Sequence, residues 1–399
     1  MKADNYIKDS FEYRLTEAGE AVITSCRSRR ESIVIPEALG GYPVAGIGKA
    51  AFRSNKSASE VHLPSTLTTI EEQAFFGCSK LRQLYIPKSV IKIVGNPFAG
   101  CNSLTEIKAE PGNPRYQTTN GVLYDTDPMD PHIVCYPAGK TNPSYEMPAG
   151  IYYVGEYAFF GNRHLQKVVL CDDAGAIKAE AFAECAALRE IVIPDSVRRI
   201  EMLAFFRCKN LEEIQLPDSI VELGTWSFAE CDDLSRVRLS KSLTNYSISV
   251  FRDCDKLQKL VIPQGVKNLV IDDHVGLPPG EEKAIQVPPS VEWVSNENGW
   301  QGGGYTFCVP RSQRRLWSYW MFAKQDVRYR VKRNELYRGR MTLRKQAKWW
   351  FWKLKWCFSK LLHRWASSPW GGYKVVTIKD EESEIADKKI NDQLTYSSH

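Results

Sequence analysis

A phenylalanine recurs at a fixed interval through the first 250 positions. Phe52, Phe75, Phe98, Phe159, Phe182, Phe205, Phe228 and Phe251 are spaced 23, 23, 61, 23, 23, 23 and 23 residues apart. Cysteine follows three residues later at Cys78, Cys101, Cys185, Cys208, Cys231 and Cys254, while Asn55 and Asn162 hold that place in the other two units. Three residues further comes an aliphatic, as at Leu81, Leu104, Leu188, Leu211, Leu234 and Leu257. Each unit then runs into a segment such as Ile191-Val192-Ile193-Pro194 or Leu260-Val261-Ile262-Pro263. A 23-residue unit cannot enclose its own core, so it must bury its apolar side against the next copy. One chain of many such units therefore makes a solenoid rather than two or three globular domains.

The periodicities inside the unit predict its parts. Apolar-x-apolar-Pro alternates with period two and reads as a short strand, with Pro confined to its end. Ala-Phe-x-x-Cys places Phe and Cys three apart, which reads as a short helical turn. Stacked units then form an α/β solenoid, with a parallel β-ladder on one face and short helical turns on the other. The long interval between Phe98 and Phe159 holds one period plus 38 further residues. It predicts an inserted unit at about 112–148.

The pattern C-x-x-L-x-x-I-x-I-P-x-x-V-x-x-I-x-x-x-A-F-x-x-C resembles the BspA-like leucine-rich repeat. Residues 185–208 match it nearly throughout. The opening hairpin, Phe11–Leu15 with Ala21–Thr24, and the inserted Asn120-Gly121-Val122-Leu123-Tyr124 are similar to that family as well. The resemblance covers residues 10–270. It implies a non-enzymatic binding module of the kind found on microbial surfaces, where members adhere to host matrix proteins or to other cells. Against it, no apolar run precedes Ser10, so no export signal is recognisable and a cytoplasmic location is expected if the N-terminus is native.

Five segments are expected. Residues 1–35 form an N-terminal capping hairpin, 36–270 the solenoid, and 271–340 a degenerate repeat with a C-terminal cap. Residues 341–366 form a basic, Trp-rich amphipathic helix, and 367–399 a polar tail. Charge is unevenly divided among them. Residues 1–310 carry net −7, whereas 311–366 hold 17 Lys+Arg against 2 Asp+Glu. Residues 341–366 have three readings: a cap on the last coil, an interfacial helix on anionic lipid, or a nucleic-acid contact through charge and stacking. Trp349, Trp350, Trp352, Lys353, Lys355 and Trp356 are the expected membrane contacts. Nucleic acid is the least favoured, because no recognised module spacing occurs.

Catalytic and metal chemistry find no support in the sequence. The six His show no ligand or triad spacing, no C-x-x-C pair occurs, and no nucleophile–base–orienter set is recognisable. No cofactor, no metal and no small-molecule substrate is expected. The ladder cysteines read as small buried thiols. What remains is a surface. Outward strand positions begin acidic near Glu60 and Glu106 and end basic, and Tyr and Arg are enriched at interface hot spots. A protein partner is therefore expected on Tyr85, Lys108, Lys167, Gln215, Arg236, Arg238 and Lys259, with the inserted unit as a second candidate.

Overall fold

The computed structural model describes residues 6–8, 10–257, 259–271, 284–291, 293–296, 306–310, 329–330 and 374–378. Among the described residues the chain coils as a β-solenoid of ~23-residue turns with parallel strands. Its contacts divide it into two compact units, one of residues 1–240 with 250–256 and the other of 241–249 with 257–399.

In the first unit each coil contributes two strands to two ladders. The apolar-x-apolar-Pro segments build one. Ser32–Val34, Glu60–His62, Gln83–Ile86 and Glu106–Ala109 pair in parallel, as do Ser144–Glu146, Lys167–Val169 and Glu190–Val192, and then Glu213–Gln215 with Arg236–Arg238. Partners lie 23 residues apart at most steps, for example Ile191 opposite Val168, so identical positions face identical positions. The second ladder comes from the V-x-x-I half of the repeat, in which Tyr153–Val154, Ala176–Ile177, Arg199–Ile200 and Glu222–Leu223 pair in parallel. Alternation along each strand buries the middle aliphatic and exposes its neighbours, as in Glu190–Val192 with Ile191 inside.

Between the ladders runs the aromatic spine. The rings of Phe159, Phe182, Phe205 and Phe228 stack with centroids 4.6, 5.1 and 4.9 Å apart, the last two pairs within 5° of parallel. All four side chains are fully buried. Phe52, Phe75 and Phe98 form an equivalent stack at 4.8 and 5.7 Å.

The helical turns expected around these phenylalanines do not form. Residues two before and two after the Phe take left-handed backbone angles, for example Glu180 (φ 53°) and Glu184 (φ 60°), Leu203 (φ 58°) and Arg207 (φ 59°). Every second peptide is thereby rotated along the stack axis. The Phe182 amide donates to Ala204 O at 2.7 Å and the Glu184 amide to Phe206 O at 2.7 Å, both in the next coil. A helix would spend those amides within its own turn. The Phe-to-Cys spacing survives because the Cys amide still donates to the Phe carbonyl three residues back, as Cys185 does at 3.2 Å. One short 3-10 helix, Ile248–Phe251, is present among the described residues.

The long interval also resolves differently from its reading as a single inserted unit. Tyr136 stands 23 residues before Phe159, stacks on it at 4.9 Å, and donates its amide to Ala158 O, as Phe159 does to Ala181 O and Phe182 to Ala204 O. The interval therefore holds a further coil with tyrosine in the phenylalanine slot. The rest is an antiparallel hairpin, Tyr116–Thr119 with Val122–Asp125, followed by His132–Cys135, which enters the second ladder beside Tyr153–Val154.

The N-terminal hairpin is present, as Phe11–Leu15 paired with Ala21–Cys26. In the second unit Asn245–Ser247, Asn268–Ile271 and Trp293–Asn296 continue in parallel, as do Lys259–Val261, Ala284–Gln286 and Thr306–Pro310. Within the polar tail at 367–399, the described strand Lys374–Ile378 pairs in parallel with Thr306–Pro310. The helix expected at 341–366 lies outside the described residues.

Candidate partner-binding face

The strand face positions its outward side chains by register alone. Because each strand alternates and pairs in parallel, outward residues line up in rows. In the first four strands one row is Val34, His62, Tyr85 and Lys108, and the neighbouring row is Ser32, Glu60, Gln83 and Glu106. Tyr85 is 49% exposed and Val34 67%. Among the described residues the Tyr85 side chain has no hydrogen bond, ring contact or ion pair. Lys108 pairs with Glu106 on its own strand at 2.9 Å.

The remaining predicted residues are placed apart from these. The hairpin of the inserted segment ends the four-stranded sheet, with Gly121 O accepting the Ile107 amide at 3.1 Å. Lys167 belongs to the next sheet, where it pairs with Glu190 at 2.8 Å. Gln215 and Arg238 are directly opposite, as are Glu213 and Arg236. At the basic end of the stripe both arginines are paired. Arg236 contacts Glu213 at 2.6 Å, while Arg238 contacts Asp218 at 3.1 Å and donates to Leu216 O at 2.9 Å. Hydrogen bonds from Gln215 and Arg236 hold the Glu213 carboxyl below the usual carboxylate range. Exposed pairs of this kind contribute little to stability. Lys259 lies in the second unit, exposed on Lys259–Val261. Trp349, Trp350, Trp352, Lys353, Lys355 and Trp356 lie outside the described residues, and among the described ones no helix is long and apolar enough to cross a membrane.

Sequence reading passed over Val34 as a surface residue. Its signal was available, since Ile33-Val34-Ile35-Pro36 has the same alternation that placed Tyr85 outward.

The ladder cysteines have a role that composition hides. Each thiol sits against the Phe carbonyl of the preceding coil: Cys78 on Phe52 O, Cys185 on Phe159 O, Cys208 on Phe182 O and Cys254 on Phe228 O, at 3.1 to 3.2 Å. The S–H is a weak donor of the right size for this dry site. Burial pushes the Cys185 thiol up to about 12, and Cys208 and Cys231 upward as well. Their folded values exceed the ordinary 9.0, so their contribution is complete below about pH 9 and is lost as pH rises toward 12. The melting temperature should therefore fall on the alkaline side of pH 9. At pH 8 the ladder thiols should resist alkylation until the chain is unfolded. Rapid alkylation of Cys185 and Cys208 in the folded protein, read by mass spectrometry, would contradict this placement.

Several solved structures are similar to this chain. A pneumococcal vaccine antigen, PcpA, is 18% identical with a TM-score of 0.44, over 79% of this chain and 96% of that one. A leucine-rich repeat protein from Eubacterium ventriosum is 17% identical with a TM-score of 0.46, over 71% and 100%. A leucine-rich cell surface protein from Faecalibacterium prausnitzii is 20% identical with a TM-score of 0.32, over 73% and 90%. A search of curated protein sequences returned no significant match. The family model described as the BspA type leucine rich repeat region matches six copies, over residues 12–120, 139–189 and 175–272. With its recurrent Ala-Phe-x-x-Cys coils and strand ladder, the chain belongs to the BspA-type leucine-rich repeat family.

Proposed function

We propose that this is a non-enzymatic repeat protein of the surface or adhesion type, which binds a protein partner through the first four strands of its strand face. The carrying observation is the row Val34–His62–Tyr85–Lys108. It presents an aromatic and an aliphatic side chain to solvent on a face whose other charges are mostly satisfied internally. An exposed Tyr without a polar partner is the composition of an interface centre, and paired charge is that of a rim. The family supports the reading, because repeat proteins of this type generally serve as scaffolds or adhesins.

The test uses immobilised host matrix proteins and intact host cells as the probes. Tyr85→Ala combined with Val34→Ser should weaken binding by at least about thirtyfold, the scale of a hot spot worth ~2 kcal/mol, with thermal melting unchanged. Arg236→Glu with Arg238→Glu should change binding only a few-fold. The reverse ranking would place the interface at the basic end of the stripe.

A further inference from the structure

We propose that the Asp130–Pro131 peptide bond is a self-cleavage site, broken by attack of the Asp130 carboxylate on its own main-chain carbonyl while His132 holds the carbonyl oxygen. An aspartyl–prolyl bond is predisposed to this chemistry. The side-chain carboxylate reaches the adjacent carbonyl carbon through a five-membered ring, so the attack is intramolecular. The departing nitrogen is that of a proline, which leaves as a secondary amine.

The chain contains two such bonds, Asp127–Pro128 and Asp130–Pro131, both in the loop between Val122–Asp125 and His132–Cys135. The structure treats them differently. The Asp127 carboxylate is occupied, since Oδ1 accepts the Met129 amide at 3.0 Å and Oδ2 lies 3.5 Å from the Arg115 guanidinium. Among the described residues the Asp127 carbonyl accepts only the Asp130 amide, at 2.9 Å.

Around Asp130 the groups point the other way. His132 Nδ1 lies 2.8 Å from the Asp130 carbonyl oxygen. A carbonyl only accepts, so Nδ1 carries the proton and donates to the oxygen on which charge would develop. The imidazole is fixed by stacking on Tyr153, with centroids 4.5 Å apart and planes 10° from parallel. The Tyr153 hydroxyl donates to Asp130 Oδ2 at 2.7 Å. Burial and the neighbouring Asp130 carboxylate push that phenol well up, so it stays a donor. Oδ1 of Asp130 has no partner among the described residues and is left as the nucleophile. Water has access, because Asp130 is exposed. An open cleft of about 280 Å³ beside the site is lined by His132, Tyr153, Glu156 and Lys178. Lys178 is paired with Glu201 at 3.0 Å and lies over the Tyr153 ring.

The step balances as follows. Asp130 Oδ1 forms a bond to its own carbonyl carbon, and the resulting oxyanion is held by His132. The carbon–nitrogen bond to Pro131 breaks, and its electron pair goes to the proline nitrogen, which takes a proton from water. The cyclic anhydride left on Asp130 is opened by water, giving a new α-carboxylate and restoring the side chain. One water is consumed overall, and nothing is oxidised or reduced. The two pieces should remain together, because Val122–Asp125 stays paired with His132–Cys135 and the Gly139 amide stays bonded to Leu104 O.

The experiment incubates the full chain in mildly acidic buffer, folded or unfolded in guanidinium, and reads intact mass. Folded protein should yield fragments 1–130 and 131–399 that co-elute under native conditions, with Asp127–Pro128 intact. Unfolded protein should lose the preference between the two bonds. His132→Phe keeps a ring to stack on Tyr153 but removes the donor, and should slow cleavage about a hundredfold, the usual loss for one oxyanion donor. Asp130→Ala should abolish it. No cleavage in the folded chain would overturn the assignment. So would equal cleavage at the two bonds, or an unchanged rate in a His132→Phe variant with native circular dichroism.

Discussion

Phe205→Ala should lower unfolding free energy by about 3–5 kcal/mol, the cost of removing a large aromatic from a close-packed core. Phe205 is fully buried between Phe182 and Phe228 and touches both rings. Its backbone is fixed by bonds to the next coil, with its amide on Ser227 O at 2.7 Å, so the coils cannot close over the gap. Two stacking contacts are lost with the ring, each worth about 0.5–1.5 kcal/mol beyond its area. Phe206, one residue along, is half-buried with its ring beneath the Arg207 guanidinium, and Phe206→Ala should cost far less. Denaturant midpoints of the two variants against the parent read the difference. Equal losses would mean that position 205 is no part of a spine.

Asn162→Ala should be comparably damaging, by several kcal/mol, although it removes only a small amide. Asn162 occupies the cysteine slot of its coil and is fully buried. Its Nδ2 serves the carbonyls of Pro137, Ala138 and Lys140 at 3.2 to 3.3 Å. Its Oδ1 accepts the amides of His164 and Leu165 at 3.0 and 2.8 Å. Each buried group left unpaired costs about 1–3 kcal/mol. Asn162→Cys, which restores the repeat pattern, should recover little, because one thiol cannot replace a two-donor, two-acceptor amide. The coil before it carries Tyr136-Pro137-Ala138-Gly139 and follows a different path from the standard turn. Asn55 does the same service at the first coil, donating to Ser28 O at 3.0 Å. The two asparagines thus mark two places where the preceding coil is irregular. A melting temperature unchanged in Asn162→Ala would refute that explanation.

These positions also show what the sequence makes legible. The 23-residue interval, the aromatic spine and the outward side of each strand follow from periodicity, because identical coils must present identical faces. The left-handed turns do not. Glu180 and Leu203 are residues that ordinarily avoid positive φ, and their amides in that conformation donate to Met202 O and Thr225 O of the next coil. Local spacing alone therefore suggests a helix. The coil of Tyr136 was hidden because it lacks the Ala-Phe-x-x-Cys signature, with Gly139 standing at the cysteine position. There a side chain would meet the Leu104 carbonyl at 2.8 Å. On the strand face, exposure was legible but pairing was not. Arg236 and Arg238 looked like a free basic patch until Glu213 and Asp218 were placed beside them.

The stacking of successive coils is tested most directly by ring-to-ring nuclear Overhauser effects in protein carrying selectively labelled phenylalanine. Phe182 to Phe205 and Phe205 to Phe228, at 5.1 and 4.9 Å between centroids, should each give a strong cross-peak. Phe182 to Phe228, two steps apart, should give none. Missing cross-peaks between neighbours, or a strong one between Phe182 and Phe228, would contradict an in-register stack.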